Sequence, residues 1–352
     1  MRSKRAKRKG EHLRHALKGK LRCADFQEVH LVHNSLPELD LSEVNLETRL
    51  AGIPMRSPLF INALTGGTPE AYKINRSLAR VAREGGFAMA VGSQRVGLQH
   101  ESAEESFRVV RRENPGGIVW ANLGAYADTR EARAAVEMIE ADGLQIHLNV
   151  PQELAMKEGD VSFKGNLARI NAVCEALKVP VMAKEVGFGM AAEQARELKE
   201  AGVQAIDVGG RGGTNFLNIE TRRRDGNTGF SPQLSNYWGI PTAVSLAEVL
   251  SSASGEVDVV ASGGVNTSLN LAKSLAMGAR AAGIAGMAVK ILCRFGEKAL
   301  LRRLQKLERE LVRIMVMTGA GELEELRKKP LVVTGFTKEW IRQRGIGLEH
   351  TR

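Results

Sequence analysis

Cysteine is nearly absent from this chain: Cys23, Cys174 and Cys293 form an odd, widely scattered set without CxxC spacing. That pattern excludes a disulfide framework and a cysteine-built zinc site, and the three read as ordinary reduced thiols. Aromatic residues are scarce too, at 5%, and they do not alternate with the basic residues, which argues against the stacking surface of a nucleic-acid binder. Long apolar runs are missing. None approaches the roughly 20 residues needed to span a bilayer, and the cationic start is not followed by the apolar stretch of a signal peptide. The expectation is a cytoplasmic protein that engages neither membrane nor nucleic acid.

Positive charge and glycine, by contrast, are plentiful, with a formal net charge of +10 and 37 glycines. Much of the charge sits in Arg2, Lys4, Arg5, Lys7, Arg8 and Lys9. Such a segment is a solvated tail or an arm for a small polyanion. A reading from another functional class, nucleic-acid binding through the basic N-terminus, predicts a colourless protein with strongly salt-dependent binding. The 43% hydrophobic content supports a sizeable α/β core. At 352 residues the chain accommodates one barrel of about 250 residues with terminal extensions.

From about residue 58, short apolar runs alternate with helical patterns. The predicted strands are Pro58–Asn62, Gly86–Gly92, Ile118–Asn122, Leu144–Asn149, Val179–Lys184, Ala205–Gly209, Val257–Ser262 and Ala281–Ala285. Amphipathic stretches between them include Glu70–Glu84, Glu101–Glu113, Arg130–Ala141, Asn166–Leu177, Ala191–Ala201, Pro241–Ser252 and Ser268–Met277. Eight βα units favour a closed (β/α)8 TIM barrel over an open doubly wound sheet. The segments after nearly every strand carry Gly, amide, hydroxyl or charged groups, and only a barrel gathers all of them on one rim. The expected organisation is a single domain over 1–352, with an N-terminal extension (1–57), a barrel core (58–287) and a C-terminal helical segment and tail (288–352). Within the extension, Leu36–Val44 is expected to cap the lower face. The long stretch from Asn215 to Gly239 reads as a mobile lid, and the tail carrying Trp340 as a segment that packs on the barrel or on another subunit.

The chemistry concentrates after these strands. In Gln145-Ile146-His147-Leu148-Asn149 the period-two alternation puts Gln145, His147 and Asn149 on one face. Three buried polar groups in succession imply either a hydrogen-bonded core network or a ligand nearby, and the following Pro151-Gln152-Glu153 favours the ligand. Glu153 suits Mg²⁺, which commonly takes one or two carboxylates together with substrate phosphates; its plainer role is to complement a helix dipole. Lys184 ends a strand where inward groups emerge, as a Schiff-base lysine or as a cation beside an anionic cofactor ring. Gly263-Gly264 and Ala285-Gly286 follow strands seven and eight, where barrels bind phosphate through backbone N–H groups. No GxGxxG follows a strand in the needed context, so these pairs suit FMN better than a dinucleotide. Gly210-Arg211-Gly212-Gly213 is a close-approach loop or a plain hinge.

Taken together, Arg8-Lys9-Gly10-Glu11-His12, Ile61–Gly67, Val91-Gly92-Ser93-Gln94-Arg95, Ala121-Asn122-Leu123-Gly124, Gln145–Glu153, Lys184-Glu185-Val186-Gly187 and Asp207–Thr214 resemble the type 2, FMN-dependent isopentenyl diphosphate isomerases, from about Arg8 to Gly286. The resemblance implies FMN contacts from Ala63, Leu64, Thr65, Ser93, Asn122, Lys184, Thr214, Gly263, Gly264, Ala285 and Gly286. It implies that Arg8, Lys9, His12, Ser93, Arg95, His147 and Asn149 meet the substrate diphosphate, that Gln152 contacts the substrate, and that Mg²⁺ sits on Glu153. Gln152, His147 and Lys184 are the catalytic candidates, with Gln152 relaying or orienting a proton. NADPH is the implied reductant, isopentenyl and dimethylallyl diphosphate the substrates, and a homo-oligomer the implied assembly. The chain departs from the family pattern at Gly209, where Ser is common, at Asn266, where Arg is frequent, and at Gly10. The rival enzyme reading is an FMN-dependent hydroxy-acid oxidase or dehydrogenase on a similar barrel.

Overall fold

The computed structural model describes Gly10, Glu11, His15, Leu17, Ala24 and residues 26–347 apart from 225, 227 and 254. Its centre is a closed barrel of eight parallel strands in sequential order. These are β1 (Leu59–Ile61), β2 (Ala88–Ala90), β3 (Val119–Gly124), β4 (Gly143–Leu148), β5 (Val181–Glu185), β6 (Ala205–Asp207), β7 (Asp258–Ser262) and β8 (Ala281–Ile284). Every strand falls inside or beside its predicted run. The helices agree equally well: Glu101–Glu113 has the expected bounds, and Pro69–Gly85 starts at Thr68, whose hydroxyl accepts from the Ala71 N–H at 3.0 Å.

Strand alternation explains how one barrel holds both a core and a site. The outward residues, among them Leu59, Ile61, Ala121, Leu123, Leu144, Ile146, Val181, Ala183, Val259 and Ala261, join the apolar layer under the helices. The inward residues of the lower layer, Phe60, Ala88, Ala90, Trp120, Met182, Ala205, Val260 and Ala281, form a separate apolar plug. Two residues further along, the inward positions turn polar: Asn62, Asn122, Gln145, Lys184, Asp207 and Ser262 are all buried. The register sets Asn122 beside Gln145, His147 beside Lys184, and Lys184 beside Asp207. The sequence thus specifies an apolar floor with a polar layer directly above it. Burial of that polar layer is tolerable because its members hydrogen-bond one another.

The lower end is not closed by Leu36–Val44, as the sequence suggested. Leu36 and Leu41 are exposed, and a short hairpin, Thr48–Leu50 with Ile53–Met55, does the closing. Leu50 and Met55 join the plug, while the Ala51 N–H donates to Asp258 Oδ2 at 2.7 Å. The stretch from Asn215 to Gly239, expected to be a mobile lid, is partly helical. It contains two helices, Phe216–Arg223 and Pro232–Tyr237, tied by Asn215 Nδ2 donating to the Ser235 carbonyl at 2.7 Å.

Beyond the barrel, helix Glu297–Thr318 buries Leu300, Leu304, Leu307, Leu311 and Met315, an i, i+4 and i, i+3 stripe. Strand Leu331–Val333 then pairs antiparallel with Val29–Leu31, joining the two extensions. Trp340 packs its helix on the barrel: its indole Nε1 donates to Glu248 Oε1 at 2.7 Å, and Arg344 bonds both Glu248 and Glu193. Among the described residues no helix is long and apolar enough to cross a membrane.

Candidate functional site

The carboxyl ends of the strands surround a cavity of about 1050 Å³. Ala63, Leu64, Thr65, Ser93, Arg95, Asn122, His147, Asn149, Gln152, Glu153, Lys184, Thr214, Gly263, Gly264, Ala285 and Gly286 all line it. These come from eight separate segments, so closure of the barrel brings them together. Arg8, Lys9 and His12 lie outside the described residues. Their described neighbours reach the same mouth: His15 lines the cavity, and Glu11 pairs with Arg223 of the upper helices at 2.9 Å.

The floor is a continuous hydrogen-bonded layer. Asp207 accepts from Lys184 Nζ at 2.9 Å, Asn62 Nδ2 at 2.5 Å, the Gly209 N–H at 3.1 Å and the Ser262 hydroxyl. From Asn62 the bonds continue through Gln145 (3.1 Å) and Asn122 (3.1 Å) to His147 Nδ1 (2.9 Å). Lys184 also donates to the Glu185 carbonyl at 3.1 Å. Its ammonium is therefore aimed by fixed acceptors rather than left on a mobile stem. Asn122 is held from behind by Gln94, whose Oε1 accepts the Asn122 N–H at 2.9 Å while its amide donates to the Ala135 carbonyl at 2.8 Å.

One wall carries cationic and carboxylate groups. The Arg95 guanidinium lies 4.0 Å over the Tyr126 ring, and its Nε is buried with no hydrogen-bond partner among the described residues. A buried, unpaired donor on a cation is costly unless an anion meets it. Past β4 the chain turns into the short helix Val150–Ala155, with Asn149 as its N-cap. Asn149 Nδ2 donates to Glu153 Oε1 at 2.9 Å and to Gln152 Oε1 at 3.3 Å, and the Asp160 N–H donates to Glu153 Oε2 at 2.8 Å. Glu153 is thereby pinned against the cavity. No group of three His, Cys, Asp or Glu side chains among the described residues is arranged to hold a metal. A divalent cation here fits only jointly with an anionic ligand, the coordination Mg²⁺ favours.

The opposite wall is built from backbone. Gly264 has φ +93°, and a Cβ there would lie 2.1 Å from the Gly212 carbonyl oxygen and 2.6 Å from the Ala24 nitrogen. At Gly213 it would stand 2.9 Å from the Gly264 nitrogen. These loops approach backbone to backbone, which selects the close-approach reading of Gly210–Gly213 over the hinge. Beside them helix Gly286–Phe295 begins at Ala285 with no side-chain cap among the described residues, an arrangement that suits an anion at its first N–H groups. The backbone cradle at Gly263–Gly264 and Ala285–Gly286 together with the cationic, amide-lined floor fits FMN. Gly209 has φ +47° and a Cβ there would sit 2.0 Å from the Glu185 carbonyl oxygen, so this backbone favours glycine at the position where the resembling family commonly has serine. Asn266 is among the residues that line the cavity, and its carbonyl accepts from Arg303 Nη2 at 2.8 Å.

Two groups near the site are shifted by their surroundings. Burial pushes the Glu185 carboxyl up to about 7, against the opposing effect of N–H donation from Phe188 and Gly187. Burial, then the like charges of Arg294 and Arg222, lowers the Lys290 ammonium at the cavity edge. Sequence reasoning passed over Asn62, Asp207, Ser262 and Tyr126. The first three were detectable by extending the inward alternation along each strand: Asn62 is two beyond Phe60, and Asp207 two beyond Ala205.

Comparison with known proteins agrees with this geometry. The family model described as FMN-dependent dehydrogenase matches residues 152–333. Isopentenyl-diphosphate delta-isomerase of Bacillus licheniformis is 50% identical over 97% of both chains. The protein of the same name from Symbiobacterium thermophilum is 50% identical over 92% of this chain and 89% of its own, and that from Moorella thermoacetica 48% over 97% of both. Among solved structures, a mandelate oxidase variant superposes with a TM-score of 0.66 over 92% of this chain and 94% of its own, at 19% identity, a likeness of fold alone. The near-full-length identity to the isomerases, on a barrel whose residues suit a flavin, shows that this chain belongs to the FMN-dependent isopentenyl-diphosphate delta-isomerase family.

Proposed function

We propose that this chain interconverts isopentenyl and dimethylallyl diphosphate, adding a proton at one end of the allylic unit and removing one from the other without net redox change. The observation that carries the reading is the juxtaposition, in one cavity, of a flavin-suited floor and cradle with a wall bearing the unpaired Arg95 Nε, His147 and Glu153. The names of the relatives support the substrate.

FMN would be held by Ala63, Leu64, Thr65, Ser93, Asn122, Lys184, Thr214, Gly263, Gly264, Ala285 and Gly286. When bound and reduced, the flavin supplies an electron-rich ring face and a proton-transfer position. An unactivated alkene is a feeble base, so positive charge developing on its carbon needs a dry, electrostatically suited surface. The chain's own task is to create that surface. Arg95, His147 and Asn149, with Ser93 and with Arg8, Lys9 and His12 of the arm, anchor the diphosphate. Glu153 would hold Mg²⁺, which when bound neutralises charge on the diphosphate. Gln152 orients or relays a proton at the reacting carbon, and Lys184 holds its ammonium against the flavin ring. NADPH activates the enzyme by reduction and is not consumed in each turnover. A cytoplasmic homo-oligomer completes the reading.

Incubation of the FMN-loaded, reduced chain with isopentenyl diphosphate and Mg²⁺ tests it. Dimethylallyl diphosphate should form with no stoichiometric NADPH use. Consumption of one reductant or oxidant per product, or oxidation of 2-hydroxy acids in place of isomerisation, supports the oxidase reading and rejects this one.

A further inference from the structure

The polar floor has a direction, and Asp207 sets it. An ionised carboxylate only accepts hydrogen bonds, and Asp207 receives four donors, one of them the Lys184 ammonium. Asn62 must therefore present its Nδ2 to Asp207, leaving Oδ1 to accept from the Ala63 N–H at 2.8 Å and from Gln145 Nε2 at 3.1 Å. Gln145, so oriented, offers Oε1 to Asn122 Nδ2 at 3.1 Å. Asn122 then has only its Oδ1 for His147, so the contact at 2.9 Å requires a proton on His147 Nδ1. Reversing any one amide would set like ends face to face.

Amides do not exchange protons readily, so this chain of bonds is an orienting device and not a proton wire. It fixes the Nδ1–H form of the neutral His147 ring and confines the gain or loss of a proton to Nε2. At the other end the same carboxylate holds the Lys184 ammonium. Asp207 is fully buried and has no place on the cavity wall; it acts through groups that do.

We propose that Asp207 is a positioning residue for both ends of the site, aiming the Lys184 ammonium directly and fixing the tautomer of His147 through Asn62, Gln145 and Asn122. The inference deepens the function proposed above, since tautomer matters for turnover only if His147 meets the diphosphate. Its test needs no substrate, so the two readings fail separately.

The experiment is nitrogen NMR of the full FMN-loaded chain labelled in its histidines, with the seven rings resolved and His147 assigned by loss of its signals in His147→Gln. With the ring neutral, the unsubstituted chain should show His147 as a single species, protonated at Nδ1 and with a pyridine-type Nε2. Asp207→Asn, whose amide can face either way, should lose that single-species signature, and so should Gln145→Met, which interrupts the chain midway at similar volume. A purely structural role for Asp207 predicts lower stability with the His147 signature unchanged in both variants, and that result overturns the proposal. An Nε2–H ring or a mixture in the unsubstituted chain overturns it without any variant, so poor folding of Asp207→Asn leaves the test decisive.

Discussion

Substituting alanine for Gly264 should damage the flavin cradle by an amount the structure allows one to work out. The residue sits at φ +93°, where an L side chain costs about 1–2 kcal/mol. Its new Cβ would also meet the Gly212 carbonyl oxygen at 2.1 Å and the Ala24 nitrogen at 2.6 Å, and both are backbone atoms that cannot rotate away. Parting the two loops adds roughly 1–3 kcal/mol, the usual range for overpacking. The total is about 3 kcal/mol. With an unfolding entropy of about 2.1 cal/mol/K per residue, a chain of this length should lose about 4 °C in Tm. Because Gly212 and Gly213 move with the clash, FMN should bind at least about tenfold more weakly, equivalent to about 1.4 kcal/mol. Gly345 is the matched control, with φ +64° and nothing among the described residues within 4 Å of an added Cβ. Gly345→Ala should carry only the backbone penalty, shift Tm by about 1.5–3 °C and leave FMN affinity unchanged. Thermal unfolding and flavin fluorescence titration measure both variants. Equal behaviour of Gly264→Ala and Gly345→Ala would refute the close-approach account of the cradle.

Three further outcomes follow from the site. Gln152→Ala should slow turnover greatly while FMN stays bound; near-normal turnover removes Gln152 from the proton path. Glu153→Gln should weaken the response of activity to Mg²⁺, whereas an unchanged metal titration defeats its assignment as ligand. Glu185 has a folded-state pKa raised from 4.5 to about 7 by burial, so the folded chain keeps a proton that the unfolded chain releases. Stability from this group is complete below about pH 4.5, falls as pH rises towards 7 and is lost above it, by at most about 3 kcal/mol. Denaturant unfolding of Glu185→Gln should lack that descending limb, and an identical pH profile in both chains would contradict the assignment.

The barrel was legible because its signals are local. Each strand is a short apolar run, and each is followed by residues that only a rim can use, as in Lys184-Glu185 after β5 or Gly263-Gly264 after β7. What escaped the sequence depends on distant partners. The lower cap was misplaced because Thr48–Leu50 and Ile53–Met55 are three-residue strands, one containing Pro54, and show their purpose only when Leu50 and Met55 meet the plug. The pairing of Val29–Leu31 with Leu331–Val333 joins the two ends of the chain, beyond the reach of any local pattern. Asp207 lies inside the predicted strand Ala205–Gly209, but only the register shows that it meets Lys184 on the neighbouring strand. The lid helices were hidden by glycines, arginines and Pro232, which read as loop composition. The close contact of the Gly210–Gly213 and Gly263-Gly264 loops needs two strands to be neighbours, which only the closed barrel establishes.

The most direct test of the whole account is a count of product per flavin. The FMN-loaded chain is reduced anaerobically with one equivalent of donor, freed of excess donor, and supplied with Mg²⁺ and a large excess of isopentenyl diphosphate. The account predicts many molecules of dimethylallyl diphosphate per flavin while the flavin spectrum remains reduced. Product that stops at one per flavin as the spectrum turns oxidised, or no product at all, would contradict it.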